Sequence, residues 1–535
     1  MNPKDNNHEG DHRPDRIFTA RRIVAMDGHE PEAFAVSAGL VTATGALGDL
    51  LARFPGAEQI DLDGALVLPG FNDAHCHTSQ AALQRVRVDV STARSVAEVL
   101  ALLRARARHT PPGQWVVGQG LDEHAVAGVV DRAALDLVST EHPILVIQYT
   151  FHRAVVNTTG LRLLGYASAG DAPAGGQLPT DPAGHPTGWL FERAWLDPWL
   201  PGRGPRSIAP AGALDAQLAA LEQVHAELHS VGVTSYCDAI VTPVEEQLYR
   251  AALEQGRLPA RVNMMLWHSY LPANGLPEHP DVQFLRFAGV KMMLDGALSG
   301  GTCLCSQPYP SATGLDNGLQ ILGDDEFGTL FRRASGTGAR VAVHANGDAA
   351  IAKVIDQVAQ LPPSTVDHRI EHCSLVTPEL LRRCRTHRIT PVPFGPFVLL
   401  FGQQILDFYG PERAQMICAH RAMLDAGLPV AGSSDYPIVP IQPLLAVQSM
   451  VTRTTRDGLA VGTSQRVEPL EAVWVYTAGS AHATAEQSFK GRLTPGRAAD
   501  FIALSQDITT VDPEHIADVE VTSTWLGGEC VWQHT

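Results

Sequence analysis

The sequence of 535 residues predicts an α/β fold: a (β/α)8 TIM-like barrel with a small β-domain built from both chain ends. Two observations predict it. Short apolar strand-like runs alternate with Ala- and Leu-rich helical stretches through the middle of the chain, and further strand-like runs cluster near both ends. A chain of this length is too long to fold around one simple hydrophobic core, so one large and one smaller domain are expected.

The middle of the chain contains one strand candidate for each position of a (β/α)8 barrel. Each candidate is a short apolar run, and the candidates are 66–73, 232–238, 261–266, 289–294, 340–344, 368–373, 390–394 and 428–433. Periodic helices are expected between them, among them 214–230, 326–336, 349–361 and 377–387.

Domain limits follow from these patterns. Strand-like runs at 16–23, 33–38, 39–44 and 59–63, and at 500–504, 518–526 and 530–533, assign 16–66 plus 489–535 to the β-domain. The barrel takes 67–488. A Gly- and Pro-rich stretch at about 91–205 fits the repeat poorly and is interpreted as an insertion that covers the barrel mouth. Residues 1–15 are polar and are interpreted as a disordered tail rather than a signal peptide.

Composition excludes several classes of function. The formal net charge of −17 and the absence of a Lys/Arg cluster argue against binding to nucleic acid. No apolar run is long enough to span a bilayer, so no membrane partner is expected. The eight cysteines are scattered, which fits reduced thiols in a cytoplasmic protein.

The most informative local feature is His75-Cys76-His77 at the end of the first candidate barrel strand. Residues i and i+2 of a strand face the same side, so both imidazoles point one way and Cys76 points the other. The two rings can form half of a metal site. The alternative is a pair of hydrogen-bonded structural histidines, as for any isolated HxH.

Other candidate strands also carry ionisable residues where the apolar run ends. His344, His372 and Asp435 occupy such positions, and Lys291 lies inside its apolar strand. The C-terminal strand ends of a β/α barrel surround one site. These side chains, together with the two histidines of the HxH motif, therefore predict a site for one or two divalent ions, with zinc as the first choice. Asp435 could instead cap the helix after its strand.

Several segments together resemble the amidohydrolase superfamily, and within it the YtcJ-like group of metal-dependent hydrolases. The segments are Pro69-Gly-Phe-Asn-Asp-Ala-His-Cys-His77, Val290-Lys-Met-Met-Leu-Asp295-Gly, Val343-His-Ala-Asn-Gly-Asp348, Arg369-Ile-Glu-His372, Gly432-Ser-Ser-Asp435-Tyr-Pro and Gly491-Arg-Leu-Thr-Pro-Gly-Arg-Ala-Ala-Asp500. Weaker matches are Phe151-His-Arg-Ala-Val-Val-Asn157 and Gly188-Trp-Leu-Phe-Glu192.

The resemblance implies a role for each matched residue. His75, His77, His344 and His372 become metal ligands, and Asp435 becomes the carboxylate beside the metal water. Lys291 falls where members with two metals carry a carboxylated, bridging lysine. Two alternatives for it stay open: an ion pair with a carboxylate such as Asp295, or an amine that polarises the substrate carbonyl. The terminal β-domain corresponds to the family's small β-sandwich.

The predicted function is hydrolysis of an amide-type, non-peptide C–N bond by metal-activated water. Asp435 is expected to move the proton to the leaving nitrogen, while His152 or Lys291 helps the metal stabilise the oxyanion. His152 could equally pack inside the insertion. The specific expectation is an N-substituted formamide. Its amine portion would suit a lid of aromatic side chains, although most of these are expected to pack in the core instead: Tyr149, Phe151, Trp189, Phe191, Phe394 and Phe397.

Two other functions remain open. One is deamination of a cyclic amidine, and the other is a non-catalytic regulatory role on a hydrolase fold. The expected partner is a small-molecule amide, and a homodimer is possible.

Overall fold

Both chain ends contribute strands to small sheets. The computed structural model describes residues 16–200, 213–278, 281–311 and 314–534, so the predicted tail at 1–15 lies outside the described residues. The first sheet runs in the order β3–β2–β1–β4. The strands of this sheet are β1 (Arg16–Thr19), β2 (Ala33–Ser37), β3 (Leu40–Gly45) and β4 (Glu58–Asp61). Helix α1 (Leu47–Arg53) lies between β3 and β4 in the chain, and β5 (Leu66–Pro69) follows β4.

The chain then enters the barrel with β6 (Phe71–Cys76) and α2 (Thr78–Val86), and leaves it to form a separate six-stranded sheet in the order β11–β12–β10–β9–β8–β7. The elements of this sheet are β7 (Val88–Asp89), α3 (Val96–Ala107), β8 (Val116–Leu121), α4 (Arg132–Asp136), β9 (Ile144–Gln148), β10 (Arg153–Val156), α5 (Thr158–Leu164), β11 (Gly176–Gln177), β12 (Trp189–Glu192) and α6 (Arg193–Trp199).

Both faces of this second sheet are covered. In β9, Ile144 and Val146 pack in one apolar cluster, while Leu145 and Ile147 pack in another on the opposite face. Much of the region that the sequence assigns to an insertion therefore has its own strands and buried side chains.

The remaining barrel elements follow from α7 onward. They are α7 (Leu214–Ser230), β13 (Val233–Val241), α8 (Pro243–Glu254), β14 (Arg261–Trp267), β15 (Leu285–Met293), β16 (Tyr309–Ser311), β17 (Gly314–Asp316), α9 (Asp324–Gly336), β18 (Val341–Ala345), α10 (Asp348–Ala359), β19 (Arg369–His372), α11 (Pro378–Thr386) and β20 (Thr390–Val392). The pair β16–β17 forms a small hairpin outside the barrel. Seven parallel strands form the barrel sheet in the order β20–β19–β18–β15–β14–β13–β6. Together with the helices between them, they form an α/β TIM-like barrel.

Two strand predictions need correction. The candidate at 66–73 divides at Gly70: β5 joins a terminal sheet and β6 joins the barrel. The candidate at 428–433 forms only one parallel bridge, between Phe394 and Ser433, among the residues described. It still closes the ring, because the Ala74 amide donates to the Gly432 carbonyl at 2.9 Å. A regular strand ends here because Asp435 has φ +65°, outside the extended region.

Helices and a terminal sheet complete the chain. They are α12 (Phe397–Ala414, interrupted at Gly410), α13 (His420–Asp425), α14 (Pro443–Thr452), α15 (Pro469–Trp474), a π-helical turn (Val475–Gly479), α16 (Ser480–Ala483), β21 (Phe501–Leu504), β22 (Val521–Leu526) and β23 (Glu529–Gln533). The last sheet has the order β23–β22–β21–β5. Its Phe501 ring lies 4.9 Å from the ring of Phe18 in the first sheet, so the two sheets share an aromatic core.

Within the described ranges, no helix combines the length and apolar character needed to cross a bilayer.

Candidate metal centre

Strand β6 delivers the two histidines of the HxH motif to the barrel mouth. His75 is fully buried near the strand end, and His77 directly precedes α2. Cys76 points the other way, as strand alternation predicts, and its Sγ lies 3.1 Å from the Thr78 hydroxyl. Both imidazoles therefore face the cavity, while the thiol packs in the barrel wall.

Asp435 meets both rings. Its backbone amide donates to the His75 carbonyl at 2.9 Å, which ties the 430s segment to the end of β6. Asp435 Oδ1 then lies 3.3 Å from His75 Nε2 and 3.1 Å from His77 Nε2. One ligand atom from each of the three residues lies within 4.8 Å of the others, a spacing that can hold a metal ion.

The neighbouring strands bring His344 and His372 to the same place. The His372 ring centroid lies 4.8 Å from that of His75 and 4.2 Å from that of His344. Burial, reinforced by nearby cationic groups, holds the pKa of both His344 and His372 well below the usual value. Both imidazoles are therefore neutral at pH 7, which is the form that binds metal.

Lys291 on β15 lines the same cavity and is buried. Burial lowers the pKa of its amine to about 8, although Glu371 and Asp435 act to raise it. The alternative of an ion pair with Asp295 is wrong for the described structure. Asp295 instead accepts hydrogen bonds from the backbone amides of Leu304, Asn346 and Gly347, at 2.9–3.0 Å.

Glu371 supports the HxH motif from a neighbouring strand. It lies on β19 beside His372, and its Oε2 accepts a hydrogen bond from His75 Nδ1. Arg369 donates to both oxygens of the same carboxylate at 2.7 Å. This contact leaves His75 Nε2 as the nitrogen that faces Asp435, an arrangement common behind metal-binding histidines.

Asp73 is a functional candidate that the sequence analysis missed. Its carboxylate accepts hydrogen bonds from the backbone amides of His75 at 3.0 Å and Ser434 at 3.2 Å, and so joins the two segments that carry ligands. Burial raises the pKa of Asp73 to about 7, although the bonds from Ser434 and His75 lower it. The sequence held one sign of this role, since Asp73 stands two residues before His75.

The second sheet adds His152 to the cavity wall. The ring centroid of His152 lies 5.3 Å from that of His344, and its Nδ1 donates to both oxygens of Glu192 at 2.9 and 3.0 Å. The structure thus brings together every candidate site residue predicted from the sequence: His75, His77, His152, Lys291, His344, His372 and Asp435.

The rest of the cavity wall is largely apolar. The cavity has a volume of about 610 Å³, including space open to solvent. Trp195, Leu196, Trp199 and Leu200, on α6 and directly after it, form one wall. Of the aromatic residues proposed for a lid, only Phe151 is among the described residues that line this cavity. Trp189 and Phe191 line a separate outer cleft, and Phe394 and Phe397 pack in the core.

Sequence comparison agrees with this geometry. The profile of the Amidohydrolase family matches residues 58–532, which is most of the chain. The chain belongs to the amidohydrolase family. Among curated proteins, this amidohydrolase is 29% identical over 519 residues to YtcJ of Bacillus subtilis (strain 168), covering 95% of this chain and 97% of YtcJ. It is 27% identical over 542 residues to the N-substituted formamide deformylase of Arthrobacter pascens, covering 94% and 95% of the two chains.

Solved structures show the same fold for this amidohydrolase. An uncharacterized metal-dependent hydrolase from Pyrococcus horikoshii OT3 superposes with a TM-score of 0.74 at 23% identity, over 94% of this chain and 99% of that one. The family match and the shared fold agree with each other, and both place the protein in the amidohydrolase family.

Proposed function

We propose that this amidohydrolase cleaves the C–N bond of a small non-peptide amide, with an N-substituted formamide as the best candidate. The single observation that carries the proposal is the convergence of one ligand atom from each of His75, His77 and Asp435, all within 4.8 Å of one another. They converge in a cavity that His344 and Lys291 also line.

The residues present fit a divalent metal ion. His75 Nε2 and Asp435 Oδ1 are buried and make no hydrogen bond among the described residues, although they lie 3.3 Å apart. Buried polar atoms without partners are costly, and a cation bound by both would remove that cost. Nitrogen and carboxylate donors suit zinc. His75, His77 and Asp435 would hold one ion, and His344, His372 and a carboxylated Lys291 would extend the site to two.

A divalent ion bound here supplies Lewis acidity, which lowers the pKa of a water molecule towards about 7. Asp435 is placed to move the proton. Burial raises the pKa of its carboxyl group, but the adjacent imidazoles of His75 and His77 lower it well below the usual value, so the group is ionised at neutral pH. It would accept a proton from the attacking water and deliver it to the leaving nitrogen.

Two observations support the choice of substrate. The apolar wall formed by Trp195, Leu196 and Trp199 suits an uncharged, apolar amine portion. A relative matched over nearly its whole length is named for deformylation of N-substituted formamides. The products would be formate and a primary amine.

We further propose that the two terminal sheets form the small β-sandwich domain, made of 16–66 and 489–535, beside the barrel domain of 67–488. The aromatic contacts of Phe18 with Phe501 and Trp525 support one shared core. The expected homodimer is tested by sedimentation equilibrium, which measures the mass of the purified protein in solution.

The experiment for the proposed function is a formate-release screen over N-alkyl and N-arylmethyl formamides. The protein is stripped with a chelator and reloaded with zinc, and the same preparation lacking metal is the control. Formate release that requires metal supports the proposal. If ammonia is released from cyclic amidines and formamides stay intact, the deaminase alternative replaces it. Bound metal without hydrolysis of any amide tested would favour the regulatory alternative.

A further inference from the structure

Arg87 contacts one side chain of the cavity wall from outside the cavity. Its guanidinium carbon lies over the Trp199 ring, 4.5 Å from the ring centroid, which is a cation–π contact. Trp199 lines the cavity, whereas Arg87 is absent from the described residues that line it. The guanidinium therefore acts on a bound substrate through the side chains of the wall.

Hydrogen bonds to two amide oxygens hold Arg87 in this position. Its Nη1 donates to Oε1 of Gln119 on β8 at 2.5 Å and to Oε1 of Gln80 on α2 at 3.4 Å. Gln119 is buried, and Gln80 itself lines the cavity. The guanidinium is thus fixed by contacts with both a helix and a strand beside the cavity.

The charge of Arg87 has no close counterion. Within the described ranges, no carboxylate oxygen lies within 4.0 Å of its guanidinium nitrogens, which meet amide oxygens instead. Burial lowers the pKa of Arg87 to about 9, although Glu245 raises it from a greater distance, so the group is charged at neutral pH. Solvent screens a partly buried and unpaired charge only weakly, so its field extends to its neighbours.

The position of this charge matters because the wall is built from indoles. Trp195 and Trp199 both line the cavity, and their ring centroids lie 5.0 Å apart. Paired aromatic faces commonly bind cationic groups, quaternary ammonium ions above all. Here the Trp199 ring already has a cation of the protein against it. A second positive charge on the same ring would be repelled by the guanidinium.

We propose that Arg87 makes the cavity reject amine portions that carry a positive charge, so that the enzyme acts on amides with neutral N-substituents. This inference rests on the proposed function, which places the amine portion against the wall of Trp195 and Trp199. Two like charges about 9 Å apart, roughly twice the contact distance of Arg87, repel enough at an effective dielectric constant of about 20 to change binding roughly 20-fold. An unpaired charge of this kind is a recognised way to exclude a competing ligand.

The first test compares two substrates that have nearly the same shape and differ in charge. They are N-(3,3-dimethylbutyl)formamide and N-[2-(trimethylammonio)ethyl]formamide, in which a quaternary nitrogen replaces the quaternary carbon. Formate release by the zinc-loaded full-length enzyme gives kcat/KM for each compound. We expect the neutral compound to be preferred by at least roughly 20-fold. Equal values, or a preference for the cationic compound, would overturn the inference and leave the proposed function standing.

Substitutions of Arg87 separate its charge from its packing. Arg87→Met removes the charge but keeps a long apolar side chain, so the preference for the neutral compound should fall by roughly 10- to 20-fold. Arg87→Lys keeps the charge and should retain the preference within about 3-fold. A bound divalent ion repels the cationic compound equally in every variant, so it does not affect this comparison. An unchanged preference in Arg87→Met, or an equal loss in Arg87→Lys, would contradict the role of the charge.

Arg413→Met is the matched control. Arg413 also lies over an aromatic ring, 5.9 Å from the Tyr409 centroid, and donates to the carbonyl oxygens of Gln307 and Pro308. It is not among the described residues that line the cavity. This variant should keep the preference of the parent enzyme. A loss as large as that in Arg87→Met would overturn the assignment, because removal of any such cation would then suffice. Metal content and unfolding temperature accompany each variant.

Binding measurements distinguish failure of the inference from failure of the proposed function. If the parent enzyme hydrolyses neither formamide, the proposed substrate fails. The dissociation constants of the same two compounds for the zinc-loaded protein are then measured by isothermal titration calorimetry. Tighter binding of the neutral compound to the parent, lost in Arg87→Met, would support the charge effect. The same ratio of constants in the parent and in Arg87→Met would overturn it.

Discussion

Glu371 accepts a hydrogen bond from Nδ1 of His75, and both side chains are about 99% enclosed. Arg369 donates to both oxygens of the same carboxylate. Burial raises the pKa of Glu371, but Arg369 and His75 together hold it well below its usual value. An ionised carboxylate behind His75 fixes the ring orientation and makes Nε2 a stronger ligand.

Glu371→Gln should therefore weaken metal binding by roughly 10–100-fold, the usual effect of removing such a contact. Competition with a chelating dye measures the dissociation constant. Glu486→Gln is the control for lost stability, since Glu486 is also buried and paired with a cation, Lys490, at 2.9 Å. It should lower stability without changing metal affinity. Unchanged affinity in Glu371→Gln would remove the proposed role.

Asp435→Asn should retain metal, and its kcat should fall by roughly 10²–10⁴-fold, because the asparagine side chain cannot accept and release the proton. Metal analysis and formate release are measured on the same sample. Asp348→Asn is the comparison: this aspartate also follows a barrel strand, but it accepts a hydrogen bond from the Ser306 amide at 2.8 Å. A metal-replete, active Asp435→Asn enzyme would exclude the proton-transfer role.

Lys291 gives a pH-dependent prediction. A carbamate forms from the neutral amine, and burial lowers the pKa of Lys291 to about 8. The neutral fraction thus rises as pH rises through about 8, whereas an ordinary lysine would need a pH near 10.4. At fixed dissolved carbon dioxide, metal content per chain should increase from about pH 6.5 to about pH 9.

Lys291→Met cannot form a carbamate and should show no response to bicarbonate. If metal content of the parent protein is also insensitive to bicarbonate across this range, Lys291 acts as an amine and the site holds its metal without it.

The sequence predicted the barrel better than its surroundings. Strands β15 and β18 are apolar runs whose ends line the cavity, so the apolar pattern that predicts each strand also locates a site residue there. The contact between Glu371 and His75 could not be read from strand alternation, which places Glu371 and His372 on opposite faces of β19. His372 has φ +69°, outside the extended region, and both side chains reach the His75 ring. The apolar wall was missed because α6 is short and contains Pro198, so no helical period indicates which face it buries.

That wall predicts selectivity for the amine portion. The Trp199 ring packs 5.0 Å from that of Trp195 and lines the cavity. Trp199→Ala should raise KM for an N-arylmethyl formamide by roughly 10–100-fold, since burying an aromatic group contributes about 1.5–3 kcal/mol. KM for N-methylformamide should change little. Trp189→Ala, in the outer cleft, is the matched control. Equal effects of the two substitutions would contradict a substrate role for α6.

The most direct test of the metal site is anomalous diffraction from crystals grown with zinc. We expect an anomalous peak between His75, His77 and Asp435, with Nε2 of each histidine at about 2.0–2.1 Å and a carboxylate oxygen at about 2.0–2.2 Å. A peak at other positions only, or no peak at this position in crystals grown with excess zinc, would contradict the assignment of the metal site.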